Sequence, residues 1–312
     1  MESTGYLAPE YAAALREFGE PTELRRAGGW LLKRSIAGTT LFDGMGCYPM
    51  LSCRDWTELG ADLEQLRSRL VCFSAVIDPF GNHTEELLKD CFPDVARPFK
   101  NHFVVDLSKP REGYISSRHR RNVKKAMQAV IVERCEVASD FLDDWVALYG
   151  VLTQRHSVRG ISAFSRDSFK RQLEVPGLVM FRATLDGKTV GMILWLVQND
   201  VAYYHLGAYD DAGYELRASF ALFWRAVEYF AEQKFNWLDL GAGAGTGAGA
   251  TDGLSAFKSG WATGTRTAWF CGRIFDRSAY TSVLVSKNIP STTYFPAYRE
   301  GEFASPAVPR GV

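Results

Sequence analysis

Two cysteine patterns with a clear chemical meaning are missing from this chain of 312 residues. Its six cysteines are dispersed, form no Cys-x-x-Cys pair and have no metal-ligand spacing. Most of them stand beside apolar residues in predicted strands, as Cys72 does between Val71 and Phe73. The pattern predicts reduced core cysteines of a cytoplasmic protein, with no metal site and no tightly bound cofactor.

Long apolar runs and an excess of one charge are also missing. No stretch is long and apolar enough to span a bilayer, and no basic segment followed by an apolar one opens the chain, so we expect neither membrane insertion nor a secretory signal. Lys and Arg total 36, as do Asp and Glu, so no net field draws the whole protein to nucleic acid. A hydrophobic fraction of 46% indicates a globular chain with a substantial core.

The clearest periodicity lies between residues 177 and 240. Two strands at 177–185 and 189–197 are joined by Asp186-Gly187, a hairpin signal because both residues tolerate positive φ. A third strand at 201–206, an amphipathic helix at about 215–233 and a short buried strand at 235–240 follow. This order predicts a mixed sheet with a crossover helix.

Residues before 113 read as a smaller α/β unit. Strands are predicted at 30–36, 71–77 and 99–107, and helices near 9–18, 56–70 and 84–90. The segment 42–49, which contains Gly44, Gly46 and Pro49, is predicted as a loop. The tail from residue 286 is rich in Pro, Ser and Gly, and we expect it to be extended or disordered beyond about Tyr298.

A glycine-rich string follows the strand that ends near Leu240. Alone it is typical of the nucleotide loop of a methyltransferase or dinucleotide fold. In those folds several βα units come after the loop, whereas here only about 70 residues remain, too few for the rest of a doubly wound sheet. We therefore favour a flexible loop over a site for residues 241–253, with the methyltransferase as a weaker hypothesis.

A basic helix begins after Ser116, a predicted N-cap. Residues 118–125 hold five Arg or Lys residues in eight positions. Such a run is either a solvated helix face or a contact for the phosphates of a nucleic acid or a nucleotide-bearing substrate. The predicted phosphate or tRNA contacts are Arg118, Arg120, Arg121 and Lys124.

Catalytic candidates are few. No Gly-x-Ser-x-Gly elbow anchors a serine hydrolase, and no cysteine is placed as a nucleophile. His205 follows Tyr203 and Tyr204 in a predicted central strand. Tyr204 and His205 are candidates for proton handling or for positioning an amine. The alternatives are a core histidine with its hydrogen bonds satisfied and a buried tyrosine hydroxyl that has found a partner.

Several motifs together resemble FemAB-like proteins of the GNAT acyltransferase superfamily. They are residues 102–107, the basic helix 118–126, residues 203–208, the helix from Arg217, residues 238–241 and residues 252–261. The likeness covers most of residues 100–275. It implies an α/β (α+β) fold of two GNAT-like halves, each a mixed, mostly antiparallel sheet flanked by helices. The predicted units are residues 1–112, the catalytic half 113–285 and the tail 286–312.

The resemblance also implies an activity. The expected reaction is N-acyl transfer that forms an amide bond on a small-molecule or peptide amine, with aminoacyl-tRNA as the favoured donor. One departure bears on the donor: the Arg/Gln-x-x-Gly-x-Gly/Ala motif that binds acyl-CoA pyrophosphate has no match at residues 215–220. An acyl-CoA or acyl-carrier donor, and a non-catalytic module that binds a nucleotide ligand or RNA, remain alternatives.

Candidate site residues are assigned from their positions in these motifs and in the predicted elements beside them. The lysine of the Phe-Lys pair lies near the donor ester in the family, so the resemblance assigns Lys258 to stabilising the charge that develops on the carbonyl oxygen. For the acceptor we predict Arg155, His156, Arg159 and Phe164, or else a structural cluster there. Four further substrate-binding residues lie in or beside the matching motifs: Arg217, Ser219, Asp239 and Phe257.

Overall fold

The computed structural model describes residues 3–243 and 253–302. Eleven strands are found there. They are β1 Glu20–Leu24, β2 Gly29–Ser35, β3 Phe42–Gly46, β4 Cys72–Val76, β5 Val95–Asp106, β6 Ile131–Cys135, β7 Leu178–Leu185, β8 Lys188–Gln198, β9 Val201–Tyr209, β10 Trp237–Asp239 and β11 Gly264–Ile274.

Eleven α-helices, with short 3₁₀ turns between some of them, cover both faces of the sheet in the same part of the chain. They are α1 Pro9–Ala14, α2 Leu59–Leu66, α3 Glu85–Cys91, α4 Arg111–Tyr114, α5 Ser117–Ala129, α6 Leu142–His156, α7 Arg166–Gln172, α8 Asp211–Glu215, α9 Ala218–Glu232, α10 Gly253–Ser259 and α11 Arg277–Ser286.

All the strands form one sheet in the order β1-β2-β3-β4-β11-β5-β10-β9-β8-β7-β6. Two neighbouring pairs are parallel, β3 with β4 and β10 with β9, and the other named pairs are antiparallel. Each half thus has one parallel pair within a mostly antiparallel sheet. The predicted mixed α/β fold is confirmed.

The two halves exchange strands at the centre of the sheet. Strand β11, from the later part of the chain, lies between β4 and β5, while β5, from the earlier part, pairs with β10. Because these strands are hydrogen-bonded across the centre, the sheet is continuous from β1 to β6. The predicted boundary at residues 112 and 113 falls inside α4, and the division into units stays a prediction.

The central pattern of the sequence is confirmed. Asp186 and Gly187 join β7 to β8 with φ of 49° and 78°, the positive values that a two-residue hairpin turn requires. Helix α9, the predicted crossover helix, packs Leu222, Phe223 and Phe230 against the sheet, and β10 follows it as the predicted short buried strand.

One prediction is wrong: the segment 42–49 is not a loop throughout, because residues 42–46 form β3. Gly44 and Gly46 serve close packing here rather than a turn. A Cβ on Gly44 would stand 2.9 Å from the Phe73 ring, and one on Gly46 would stand 2.8 Å from Ala75 Cβ. Strand β1 was not predicted either.

The C-terminal segment folds back over the first half. Tyr280, Val283 and Tyr298 share a core cluster with Cys72 of β4. The tail is therefore ordered through residue 302, and the part predicted to be disordered that lies beyond it is outside the described residues. Among residues 3–243 and 253–302, no helix is both long and apolar enough to cross a bilayer.

Candidate functional site

The sheet opens between its second pair of parallel strands. Strands β9 and β10 pair only from Val201 with Trp237 to Tyr203 with Asp239. Beyond that point β9 continues to Tyr209 beside β8, whereas the chain after β10 turns to β5. Leu240 donates its N–H to Phe103 O at 2.9 Å, and Phe103 donates its N–H to Gly241 O at 3.0 Å. A gap is left between the strands because each has its hydrogen bonds elsewhere.

Lys258 lies in this gap. It stands near the end of α10, it is only 6% exposed, and its Nζ donates a hydrogen bond to Ala242 O at 2.6 Å. A Cβ built on Gly241, whose φ is 71°, would meet Nζ at 3.2 Å, so a side chain there would crowd the ammonium. A shielded cation at the end of a strand is suited to stabilise an oxyanion that forms beside it.

Tyr204 forms one wall next to Lys258. The Lys258 Nζ lies 5.7 Å from its ring centroid, and the ring packs on Phe223 at 4.8 Å and Trp195 at 5.4 Å. A Cβ on Gly207 would approach the Tyr204 hydroxyl to 2.1 Å, so the hydroxyl occupies space that glycine leaves open. Burial raises the pKa of Tyr204, which favours the protonated phenol as a hydrogen-bond donor.

The structure pairs Asp239 with a residue that the sequence did not single out. His102 Nδ1 lies 2.8 Å from Asp239 Oδ2, and Gly241 donates its N–H to Asp239 Oδ1 at 2.7 Å. Asp239 is 2% exposed and His102 is 8% exposed. Because 137 residues separate them, only the pairing of β5 with β10 brings them together. A polar residue inside an apolar strand was the one available signal for His102.

His205 stands apart from this pair. Its Nδ1 lies 3.1 Å from the Tyr6 hydroxyl, and its Nε2 lies 3.0 Å from Gln172 Oε1. Burial lowers the pKa of His205 to about 3. Both ring nitrogens therefore have buried partners, and the ring stays neutral near pH 7. Its predicted role in proton handling has no support from this geometry and remains a prediction.

Helix α10 is locked to the start of the basic helix α5. His119 Nε2 donates to Phe257 O at 2.8 Å, and Ser116 donates its N–H to Gly260 O at 3.0 Å. Ser116 Oγ also caps α5 through the His119 N–H, as predicted. A Cβ on Gly260 would meet the His119 ring at 2.1 Å. The position of Lys258 is therefore coupled to the first turn of α5.

The exposed face of α5 carries the predicted cations. Arg120 binds the carbonyls of Glu112 and Ile115, so part of its donor capacity is used within the fold. In the part of the chain that the structure describes, four other cations of α5 are exposed and make no ion pair: Arg118, Arg121, Lys124 and Lys125. Unpaired guanidinium and ammonium groups are available to phosphates.

The start of α9 borders the same face. Arg217 has a φ of 60°, precedes the helix and donates a hydrogen bond to Asn122 of α5. Ser219 is partly exposed in the first turn, and no side chain caps this helix end. Phe257 packs on α9 through Phe223 at 4.9 Å. Three of the predicted substrate-binding residues thus lie around the junction of α5, α9 and α10.

The turn before α9 differs from a glycine-rich phosphate loop. Gly213 is its one glycine, and a Cβ there would stand 2.0 Å from Val190 O, so this glycine faces β8 and not a ligand. Asp210 accepts the N–H of Gly213 at 2.7 Å and closes the turn. The turn therefore lacks the exposed glycine backbone that lets N–H groups approach a pyrophosphate.

The residues predicted for the acceptor do not converge. Arg155 is exposed, pairs with Asp211 at 2.6 Å and lies over the Tyr214 ring at 4.1 Å. His156 and Arg159 are exposed, whereas Phe164 is buried against His205 at 6.4 Å. Their roles remain predictions. Within residues 3–243 and 253–302, no group of His, Cys, Asp and Glu side chains could hold a metal ion.

Comparison with protein families assigns the later half. Residues 115–258 match the family model described as an acetyltransferase (GNAT) domain, which spans α5, the opened strand pair and Lys258. This part of the chain is therefore similar to a GNAT acetyltransferase domain. A search of curated proteins finds no match to the chain.

Solved structures extend the likeness to the whole sheet. FemX is 14% identical, with a TM-score of 0.63 over 88% of this chain and 93% of its own. The C-terminal domain of a protein described as a lysylphosphatidylglycerol synthetase from Agrobacterium fabrum is 16% identical, with a TM-score of 0.59 over 89% of this chain and 91% of its own.

A third structure has the same overall fold. L-PGS from Bacillus licheniformis is 16% identical, with a TM-score of 0.57 over 92% of this chain and 98% of its own. At these identities the likeness establishes the fold. The predicted resemblance to FemAB-like proteins of the GNAT superfamily is confirmed at that level, and the protein is an acyltransferase of the GNAT type.

Proposed function

We propose that this GNAT acyltransferase moves an aminoacyl group from aminoacyl-tRNA to the amine of a small molecule or peptide and forms an amide bond. One observation carries the proposal: the unpaired basic face of α5 is fastened by His119 to the helix that bears Lys258. A polyanionic donor bound along α5 would have its aminoacyl end directed toward the gap between β9 and β10.

The gap provides what the chemistry needs. Acyl transfer requires a carbonyl held near a neutral amine and a positive group near the oxygen that gains charge. Lys258 supplies the cation in a site shielded from water. Tyr204, whose hydroxyl is hydrogen-bonded to Tyr209, supplies a wall beside it. Asp239 fixes the start of the segment whose Ala242 carbonyl holds Nζ.

A thioester donor is the second candidate, and the match to an acetyltransferase family model favours it. Against it stand the packed Gly213 and the turn closed by Asp210, which leave no glycine backbone free for pyrophosphate. The two donors also differ in size. A tRNA backbone would reach the exposed cations along α5, whereas a pyrophosphate would need only the first turn of α9.

The test offers the purified protein both donors in parallel with a panel of amines, and intact mass detects the product. We expect product with charged tRNA and none with acyl-CoA. Product with acyl-CoA alone would contradict the tRNA proposal and retain the thioester enzyme. The absence of product with either donor, together with retained RNA binding, would favour the non-catalytic module.

Charge reversal on α5 sharpens the result. Arg121→Glu with Lys124→Glu should lower kcat/KM for charged tRNA by about tenfold or more and reduce the salt dependence by about one unit of slope for each lost contact. Lys188→Glu with Lys170→Glu, which reverses two exposed cations outside α5, is the matched control and should behave as the unmodified protein. Equal effects of both changes would indicate a nonspecific charge effect.

A further inference from the structure

A second group of side chains lies on the opposite face of the sheet from α9. Strand register places His102 on β5 directly across from Arg266 on β11. Trp237 and Asp239 alternate with Leu238 on β10, so both point to that same face while Leu238 packs under α9. The group forms a patch at the junction of the two halves, of which the sequence predicted only Asp239 as a site residue.

His102 is held in one tautomer. A carboxylate only accepts hydrogen bonds, so Nδ1 of His102 carries the proton that Asp239 receives at 2.8 Å. In the neutral ring the Nε2 atom then presents a lone pair. It has no hydrogen-bond partner among residues 3–243 and 253–302, and the side chain keeps 10% of its surface exposed. An imidazole oriented by a carboxylate in this way is arranged as a proton acceptor.

Arg266 is fixed between two aromatic rings. Its guanidinium carbon lies 4.2 Å from the centroid of Phe80 and 4.8 Å from that of Trp237. Its nearest polar contact is the Pro79 carbonyl at 3.5 Å, and it makes no ion pair in the described part of the chain. The rings restrict the side chain while its charge stays uncompensated and partly exposed. Such a guanidinium is preorganised to bind a carboxylate or a phosphate.

We propose that this face is the acceptor site, that Arg266 binds an anionic group of the acceptor, and that His102 takes the proton from its amine. The acceptor class is therefore a small amine that carries a carboxylate or phosphate near the amine. This assignment rests on the proposed acyl transfer and adds the acceptor class and the base to it.

The proton that leaves the amine is taken up and returned by His102, so the reaction needs no further acid or base. The amine nitrogen of the acceptor forms a bond to the ester carbonyl carbon, and its proton passes to Nε2 of His102. The bond from that carbon to the ribose oxygen then breaks, and the ribose oxygen takes a proton from Nε2, which restores neutral His102. Lys258 acts on the carbonyl oxygen beside the same strand end: Gly241 donates its N–H to Asp239, and a Cβ on Gly241 would stand 3.2 Å from Lys258 Nζ.

His102→Asn separates catalysis from structure. Its amide nitrogen can replace Nδ1 as the donor to Asp239, while no basic nitrogen replaces Nε2. With saturating acceptor we expect kcat to fall by roughly 100-fold or more at an unchanged acceptor KM. Added imidazole should restore part of the activity of His102→Gly. The control His83→Asn changes a histidine that bonds the Asp78 carbonyl in the turn before Phe80; it leaves His102 and Arg266 in place, and it should keep activity within a few-fold.

Arg266 is tested by the choice of acceptor. Alanine carries a carboxylate and alaninamide does not, and both are offered with whichever donor is active. The unmodified protein should have a lower KM for alanine by roughly tenfold or more. Arg266→Met should raise the KM for alanine and leave that for alaninamide unchanged.

Three results would overturn the acceptor proposal. They are equal use of both amines by the unmodified protein, use of neither while other amines react, and full activity of His102→Asn. Activity of the unmodified protein with charged tRNA establishes acyl transfer without any variant, so failure of the acceptor proposal is distinguishable from failure of the proposed function.

Discussion

The two halves of the sheet each open between a parallel pair of strands, and the two openings have different contents. In the first half β3 and β4 pair through two residues of each strand, and the residues after them line a cavity of about 160 Å³. The chain's own segment from Tyr294 to Glu302 borders this cavity, and Arg299 binds both carboxylate oxygens of Asp43 at 2.9 Å. In the second half Lys258 lies at the gap between β9 and β10, where its Nζ donates to the Ala242 carbonyl.

The strand arrangement by itself provides an opening in each half of the sheet. Parallel strands that diverge create an opening whatever their sequence. In the first half a buried Asp43–Arg299 pair and the packing of Phe295 on Gly272 close it. In the second half the shielded cation of Lys258 and the uncapped start of α9 leave it ready for a ligand. The first opening is therefore structural in our account, and the second carries the reaction.

The largest effect is expected at the second opening. Lys258→Met removes the cation and keeps much of the side-chain volume, so folding should survive. We expect kcat to fall by about 10² to 10³-fold, the range for loss of one oxyanion-stabilising donor. Single-turnover transfer from the active donor measures it. Activity within a few-fold of the unmodified protein would remove Lys258 from the mechanism.

At the first opening we expect a substitution to lower the stability of the protein and not its catalytic rate. Arg299→Ala leaves Asp43 buried without its partner, and burial already raises the pKa of that carboxyl. We expect the free energy of unfolding to fall by about 3 kcal/mol, measured by urea denaturation, because the substitution leaves a buried carboxylate without its counter-charge. The kcat of the folded variant should stay within about twofold of normal. A large loss of kcat with normal stability would contradict a structural role.

A smaller effect is expected at the link between α5 and α10. His119→Ala removes the bond to Phe257 O and leaves α10 less firmly placed. We expect kcat to fall by about tenfold or less, with an unchanged KM for the donor. Val123→Ala, a truncation on the core face of the same helix, controls for lost packing. Equal losses of kcat in both variants would show that His119 acts only through stability.

The smallest effect concerns His205. Its folded pKa, about 3, lies below that of an unfolded histidine, near 6.5, so the unfolded chain binds a proton first as the pH falls. Its stability contribution is present above pH 6.5 and is lost as the pH falls toward 3. His205→Gln should reduce the pH dependence of the free energy of unfolding between pH 6.5 and pH 3. It should leave activity near pH 7 within a few-fold of normal. An unchanged pH slope would contradict this account.

Much of the second half was predictable because its signals are local. The Asp186-Gly187 turn, the spacing of Phe223 and Phe230 on α9 and the cap at Ser116 each act over a few residues. Strand β3 was missed since Gly44 and Gly46 read as turn residues, although in the fold they admit Phe73 and Ala75. A glycine in a sequence indicates either a turn or a close packing contact, and only the residue that packs against it in the fold distinguishes the two.

The candidate site was predictable in part. Lys258 and Tyr204 were predicted from a strand, a helix and a family motif. The structure places Lys258 Nζ 5.7 Å from the centroid of the Tyr204 ring. His102 and Arg266 could not be found in this way, because their neighbours lie on other strands of a sheet whose central strands are exchanged between the halves. Pairings across more than a hundred residues depend on topology, which local periodicity does not encode.

The most direct test of the account locates the donor on the folded protein. An aminoacyl-tRNA with an amide in place of the ester cannot transfer its amino acid, so hydrogen exchange can be followed with it bound. We predict protection of α5, of the start of α9 and of α10, and unchanged exchange in β3 and residues 294–302. Protection of β3 and residues 294–302, with α5 and α10 unaffected, would contradict the assignment of the second opening as the site of acyl transfer.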